Sequence, residues 1–580
     1  MLEDEILEDE KRVLKSLEIQ IGGPIPKVND LEYHIFGYIV QEGHITGLGL
    51  YSCGLTYIPR SITLLTSLKK LFLRGNNIKE LSEEICYLPS IEILDISENQ
   101  LTNLPKTINQ MTSLKELHLE SSNLKVLPES IGSLLNLTLL DLSDNKLKEL
   151  PNSLNSLSKL KTLDLSGNKL LIFNEGIDSL FSLELLYLGN NNLTSLPESL
   201  GSFSSLKRLN VRNNKLNFIP KSIGSLSSLT ALFLKGNEIA ALPNSIGALN
   251  NLIYLGLIQN NLTSIPEIIG SLSSLENLSI SHNYLTDLPK SIGSLKSLIR
   301  LDLRDNDLTA LPDSIGELVS LKFLNLQHNN LTSISESLGK LTSLENLKVA
   351  RNKLKALPES IGSLRSLREL DLYDNAIEKL PDSIGSLRSL EILDLSKNKL
   401  KSLPNTIGSI SNLKEFDLSS NELENLPTSI GSLTSLRTFI LGFNKLKILP
   451  NSIGSLSNLE MLDLGKNNLK EIPNSFGSFK SLKHLYLYYN ELEIIPESIC
   501  SIRTLKYLYL GNNNLKILPE SIGSLKSIKY LFLRSNLLTS LPHSLDSLSS
   551  LKYLNLEKNN IKIFPEFLNT LVERGVKVFK

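Results

Sequence analysis

Leucine and isoleucine recur along this chain in a fixed frame. Around Asn145, Leu140 and Leu142 flank Asp141, the period of a short half-buried strand. Leu137, Leu147 and Leu150 point to the same interior, and Ile131 and Leu134 fill it from the opposite side. One such unit cannot bury its apolar set alone; stacked between two neighbours, it can. The phrase L-x-x-L-x-L-x-x-N-x-L-x-x-L-P returns every 23 residues. Counted from Cys53 it sets 23 equivalent positions with no insertion or deletion, and 21 of them are Asn. A register held that long predicts one unbroken stack over 45–573, its short strands paired in parallel on one face.

The polar positions carry the rest of the pattern. An amide side chain both donates and accepts, so a ladder of Asn predicts satisfaction of the backbone groups where the chain turns inward after each strand. Ser122 is expected to keep part of that capacity; Cys53 stands in the first turn. Six residues after the ladder position, Pro is present 20 times, the exceptions being Ser82, Asn174 and Ser335. Its fixed φ and missing N–H suit an irregular return segment. The Gly of S-I-G, as in Gly132 and Gly293, is read as permitting a tight backbone turn. Thr63, Cys86, Asn109, Asn155, Asp178, Cys500 and Asp546 replace it in single repeats, so a positive φ is not needed there in every turn. The short side chains opposite the strands predict 3₁₀ or extended segments rather than α-helices.

The two ends break the frame. Ile6, Val13, Leu14, Leu17 and Ile21 recur at helical spacing, and Gly22, Gly23, Pro24 and Pro26 end the helix they predict. Residues 33–50 read as two strands around Gln41–His44, the second being the first repeat strand. Residues 1–44 are therefore expected to cap the upstream edge, with an acidic tether for something basic as the competing reading. After Pro565, Phe567, Leu568, Leu571 and Val572 predict a short helix and Val576–Phe579 a last strand, a C-terminal cap over 566–580. Read this way, the chain looks complete, with no signalling domain at either end.

Charge adds one asymmetry. The whole chain of 580 residues has a net charge of −1, but residues 1–44 hold 10 acidic and 4 basic side chains, a net of −6. The overall balance argues against nucleic acid as the default partner. Three scattered cysteines make no disulfide framework and point to a reducing compartment. The start lacks a signal-peptide core, and no apolar run is long enough for a membrane span. There is no G-x-x-x-x-G-K-[ST], no kinase motif set, and no H-E-x-x-H or Cys/His cluster. These absences predict a non-enzyme with no catalytic, cofactor-binding or metal-binding residues.

The repeat phrase resembles the leucine-rich repeat family. Its length and the L-P-x-S-I-G-x-L signature resemble the intracellular Ras-group type, which includes plant Ras-group repeat proteins and an animal scaffold that binds a Ras-like GTPase and a phosphatase. The fold this resemblance implies is an α/β-type horseshoe solenoid with a parallel inner sheet, a mostly 3₁₀ or extended convex side, and both ends capped. The function it implies is a cytoplasmic, protein-binding scaffold for signal transduction, monomeric alone, with a small GTPase or phosphatase as partner. An extracellular or cell-surface recognition protein is the alternative.

Side chains two, four and six places before the ladder Asn are free of core duty and define the candidate site. The last repeats are aromatic there: Tyr486, Tyr509 and Phe532 in one column, His484, Tyr507, Tyr530 and Tyr553 in another, with Tyr488 and Tyr489 beside them. Tyr is an efficient interface residue, but aromatics also simply pave sheets. Arg300, Asp302 and Arg304, sharing one strand, form a second candidate zone. Asp371, Asp394, Asp417 and Asp463 continue an acidic column whose earlier members are Asp95, Asp141 and Asp164. Much of that column is default repeat usage.

Overall fold

Stacking turns the leucine frame into structure. In a computed structural model, which describes residues 6–174 and 179–580, each repeat after the first contributes a three-residue strand. Within each unit, strands of successive repeats pair in parallel at equivalent residues, as in Leu140↔Leu163 and Leu508↔Leu531. Asp178 and residues 1–5 lie outside the described residues. The leucine at the strand centre, the one two places on, and the Ile and Leu of the return segment, as in Leu140, Leu142, Ile131 and Leu134, are fully buried. The chain folds as two compact units, Met1–Tyr284 and Leu285–Lys580. The first carries strands from Gly37–Gln41 to Asn277–Ser279, the second from Arg300–Asp302 to Lys577–Phe579.

The convex side is built of five-residue 3₁₀ turns. Pro427, at φ −68° and ψ 150°, leads the chain into the turn Thr428–Ser432, and the same pairing recurs along both units. The glycine inside these turns does not have the expected role. Gly431 has no positive φ; a Cβ there would stand 2.2 Å from the Ser452 carbonyl oxygen of the next turn. Glycine is present because adjacent turns approach too closely for a side chain, not because the backbone bends there. The left-handed backbone sits instead at the residue just before the ladder Asn, at φ 52° for Glu98, 52° for Asp144 and 53° for Tyr489. Such a conformation costs about 1–2 kcal/mol in a non-glycine residue.

The ladder offsets that cost. Asn145 Oδ1 accepts the Leu124 N–H at 3.0 Å, and its Nδ2 donates to the Leu119 and Leu142 carbonyls at 2.8 and 3.1 Å. The same set recurs at Asn421. Ser122 keeps none of this capacity: its hydroxyl is buried without a hydrogen bond, being too short to span to the preceding turn.

At the N-terminus, helix Glu8–Ile21 buries Val13, Leu14 and Leu17 and stops at Gly22 in the left-handed region. Glu10, 1% exposed, accepts the Ile45 N–H at 2.9 Å and faces His44 Nδ1 at 3.2 Å. Strands Gly37–Gln41 and His44–Gly49 form an antiparallel hairpin, and the second continues in parallel to Lys70–Phe72. At the other end, helix Phe567–Glu573 leads to Lys577–Phe579, which pairs in parallel with Tyr553–Asn555.

Candidate functional site

The columns two, four and six places before the ladder emerge on the open face, and parallel in-register pairing sets equivalent side chains side by side. In the last strands this makes two rows of rings. One runs His484–Tyr507–Tyr530–Tyr553, with centroids 4.4, 4.9 and 6.3 Å apart and the first two pairs within 8° of parallel. The other runs Tyr486–Tyr509–Phe532, at 4.8 and 4.3 Å. Phe532 and Phe579 both lie against Tyr553, at 4.9 and 5.0 Å. Tyr488 stands edge-on to Tyr486, its ring where a Cβ on Gly465 would be. Tyr489 is exposed and receives the Lys466 ammonium over its face.

The row members are half-buried by one another. Burial raises the Tyr486, Tyr488 and Tyr509 hydroxyls above the usual tyrosine range, so they remain protonated donors. Burial first, then the Lys483 and Lys506 charges, lowers His484 and keeps it neutral.

The acidic column has a structural duty that sequence alone did not reveal. Asp394, Asp417 and Asp463 each accept the N–H two residues on, at 2.8 Å, and Asp371 and Asp302 do so at 3.1 and 3.2 Å. Burial is the largest influence on Asp371, Asp417 and Asp463 and raises their pKa values. Tyr486, Tyr509 and Phe532 occupy this same column, where they cannot accept that bond. Phe72, Tyr187, Phe233 and Ile440 also stand in this column, so the last rings are among several apolar side chains that it holds in place of a capping carboxylate.

Arg300, Asp302 and Arg304 share strand and turn as expected but are engaged within the chain. The Arg300 guanidinium lies 3.6 Å from the Phe323 ring centroid. Arg304 Nε donates to Asp305 at 2.8 Å, and Asp305 also faces His328 at 3.4 Å. The sequence reading missed a further column, seven places before the ladder, which is lysine without interruption at 483, 506, 529 and 552. Reading that column down the repeats would have found it.

A repeated strand, turn and 3₁₀ segment around a leucine interior, with an Asn ladder and variable side chains on one face, defines the leucine-rich repeat class. Family models agree: "Leucine-rich repeat region" matches residues 189–284, 278–371 and 352–442, and "Leucine rich repeat" matches 66–124, 112–170, 434–492, 457–515 and 503–561. The chain belongs to the leucine-rich repeat family. It is 33% identical to a leucine-rich repeat protein of Leptospira interrogans, over 67% of this chain and 95% of that one, with a TM-score of 0.55. A plant peptide hormone receptor, RGFR1, solved with RGF2, is 29% identical over 89% of this chain and 90% of its own, at a TM-score of 0.66. The ectodomain of the Arabidopsis receptor kinase HAESA, solved with a peptide hormone ligand, is 27% identical over 96% and 95%, at 0.59. No curated protein matches the chain.

These findings correct the intracellular Ras-group assignment and the cytoplasmic location. Solved structures that span most of the chain include the plant receptors RGFR1 and HAESA, the latter as an ectodomain. The reason is physical. The 23-residue phrase encodes core, ladder and turn packing, which a repeat needs on either side of a membrane. No helix among the described residues is long and apolar enough to cross a membrane, and none of their His, Cys, Asp and Glu clusters could hold a metal ion. The fold is that of a leucine-rich repeat scaffold.

Proposed function

We propose that this scaffold is an extracellular or cell-surface recognition protein that holds a peptide or protein segment on the open face of its last strands. One observation carries the reading: two rows of stacked rings stand in columns that owe the core nothing, and one row occupies the column in which eight other repeats place a turn-capping Asp. Its relatives RGFR1 and HAESA were solved with RGF2 and a peptide hormone. The small-GTPase and phosphatase reading rested on the intracellular resemblance and falls with it.

Surface labelling of intact native cells with a membrane-impermeant reagent tests the location, and labelling only after lysis overturns it. Tyr509→Ala, set against the exposed convex control Ser409→Ala, tests the face. A central hot-spot loss is about 2 kcal/mol, roughly thirtyfold in Kd. If the native partner binds both variants equally, the rings only pave the sheet.

A further inference from the structure

Seven places before the ladder, most cations along the chain meet a carboxylate on an adjacent strand. Lys115 pairs with Glu92 at 2.7 Å, Lys207 with Glu184 at 2.6 Å, Lys414 with Glu391 at 2.5 Å and Lys483 with Glu460 at 2.5 Å. Beyond Lys483 the alternation stops. Lys506, Lys529 and Lys552 follow in neighbouring repeats, and Lys577 stands one position further on, paired with Tyr553 at the end of the ring column. Among the described residues the ammonium groups of these four make no ion pair. Like charges placed side by side across strands repel, so the row costs stability that nothing in the chain's own side chains returns. An open groove of about 710 Å³ runs along it, lined by Lys529, Lys552 and Lys577 with Tyr530, Tyr553 and Arg574.

The rings beside that row restrict what can bind. Tyr507 and Tyr530 stack within 5° of parallel, and Tyr509 and Phe532 within 11°. Their faces are taken by one another, so bases or cations that need an open face find none. What remains is ring edges, which carry the positive end of the quadrupole, and the Tyr507, Tyr509, Tyr530 and Tyr553 hydroxyls, which have no side-chain partner among the described residues. Elsewhere on the chain rings do receive cations, as Phe323 receives Arg300 and Phe443 receives Lys466. The last strands thus offer ammonium groups, hydroxyl donors and positive edges to one side.

We propose that the ligand of this face is an extended acidic peptide segment, its carboxylates on the Lys506–Lys529–Lys552 row and on Lys577 beside Tyr553, and its carbonyl oxygens on the tyrosine hydroxyls. The proposal rests on the open-face reading above and narrows its ligand to one chemistry. The charge row steers and discriminates, while the ring edges fix position.

The test uses the full chain and three labelled probes: a blocked decapeptide of alternating Glu and Gly, its Gln–Gly counterpart, and a ten-nucleotide oligo-dT. The variants are the triple Lys506→Gln/Lys529→Gln/Lys552→Gln and a control that removes equal charge from the exposed Lys353, Lys399 and Lys401. Thermal melts verify that both fold. The expected result is binding of the Glu peptide well above the Gln peptide, weakened about tenfold or more in the first triple and not in the control, with a shallower salt dependence. Equal binding of the two peptides, or equal behaviour of the two triples, overturns the proposal. So does oligo-dT binding as tightly as the Glu peptide, which would make the row a general polyanion site. Self-association lost in the first triple would reassign the face to a second copy and also overturn it. If Tyr509→Ala weakens the native partner and the lysine triple does not, the open-face reading stands and the acidic ligand alone fails.

Discussion

Over the first strands, the columns four and six places before the ladder hold Gly47 and Gly49, and the chain's own residues 31–35 lie there. Leu31 is buried against both glycines, and a Cβ on Gly49 would stand 2.2 Å from the Ile35 carbonyl oxygen. Tyr33 reaches on to Phe72 at 5.1 Å, donates its hydroxyl to Glu116 at 2.9 Å and meets the His118 ring edge-on at 5.2 Å. Over the last strands the same columns hold rings stacked on one another and edged with lysines. The backbone ladder beneath is alike in both places. Pairing and leucine packing thus leave the open columns free, and one end uses that freedom to seat its own segment while the other presents unsatisfied donors and charge.

The comparison breaks most visibly if residues 1–44 are removed. That deletion strips the antiparallel partner of His44–Gly49 and the helix that packs Val13, Leu14 and Leu17 inward, and exposes the core near Leu48 and Leu50. The expected outcome is aggregation, or loss of amide-exchange protection in the first repeats. A monomeric deletion protein with full protection would make the segment a dispensable tail.

A smaller change separates seat from strand. Gly49→Ala should cost about 1–3 kcal/mol in a denaturation series, because the new methyl meets backbone that has to move. Gly442→Ala, where a Cβ would be 3.4 Å from its nearest neighbour, should stay within about 0.5 kcal/mol. Equal costs would mean that the N-terminal segment is not seated on Gly49.

The finest difference is in alkaline pH dependence. Burial, then the Glu116 hydrogen bond, pushes the Tyr33 hydroxyl up to about 12. A raised folded-state value means that the stabilisation is full below the ordinary tyrosine value near 10 and is lost as pH rises towards 12. The stability difference between wild type and Tyr33→Phe should therefore be flat up to about pH 10 and fade above it. A difference that does not change between pH 10 and 12 would show that the Tyr33 hydroxyl does not hold the segment through Glu116.

Much of this was legible because it repeats. Leu140 faces Leu163 and Leu508 faces Leu531 for the same reason, and the ladder Asn and the Pro that leads each 3₁₀ turn follow from one offset. The ring columns at 486, 509 and 532 and at 507, 530 and 553 were also visible, since pairing in register turns a spacing of 23 into adjacency. Misreadings arose where one residue type serves two causes. The glycine of S-I-G reads as permitting a tight turn but marks a close approach, as Gly431 makes to Ser452; the Asp column reads largely as default repeat usage but caps backbone N–H groups.

By itself, then, the sequence determined the stack: which residues face the interior, which strands pair, and which columns are free, because each depends only on a unit and its neighbours at a constant separation. The tertiary structure decided what those columns do. Tyr33 meets Glu116 across 83 residues with no periodic signal. Ring orientation, which closes the faces of Tyr507 and Tyr509 and leaves their edges outward, follows from how side chains of adjacent turns fill the same space, and no spacing along the chain encodes that angle.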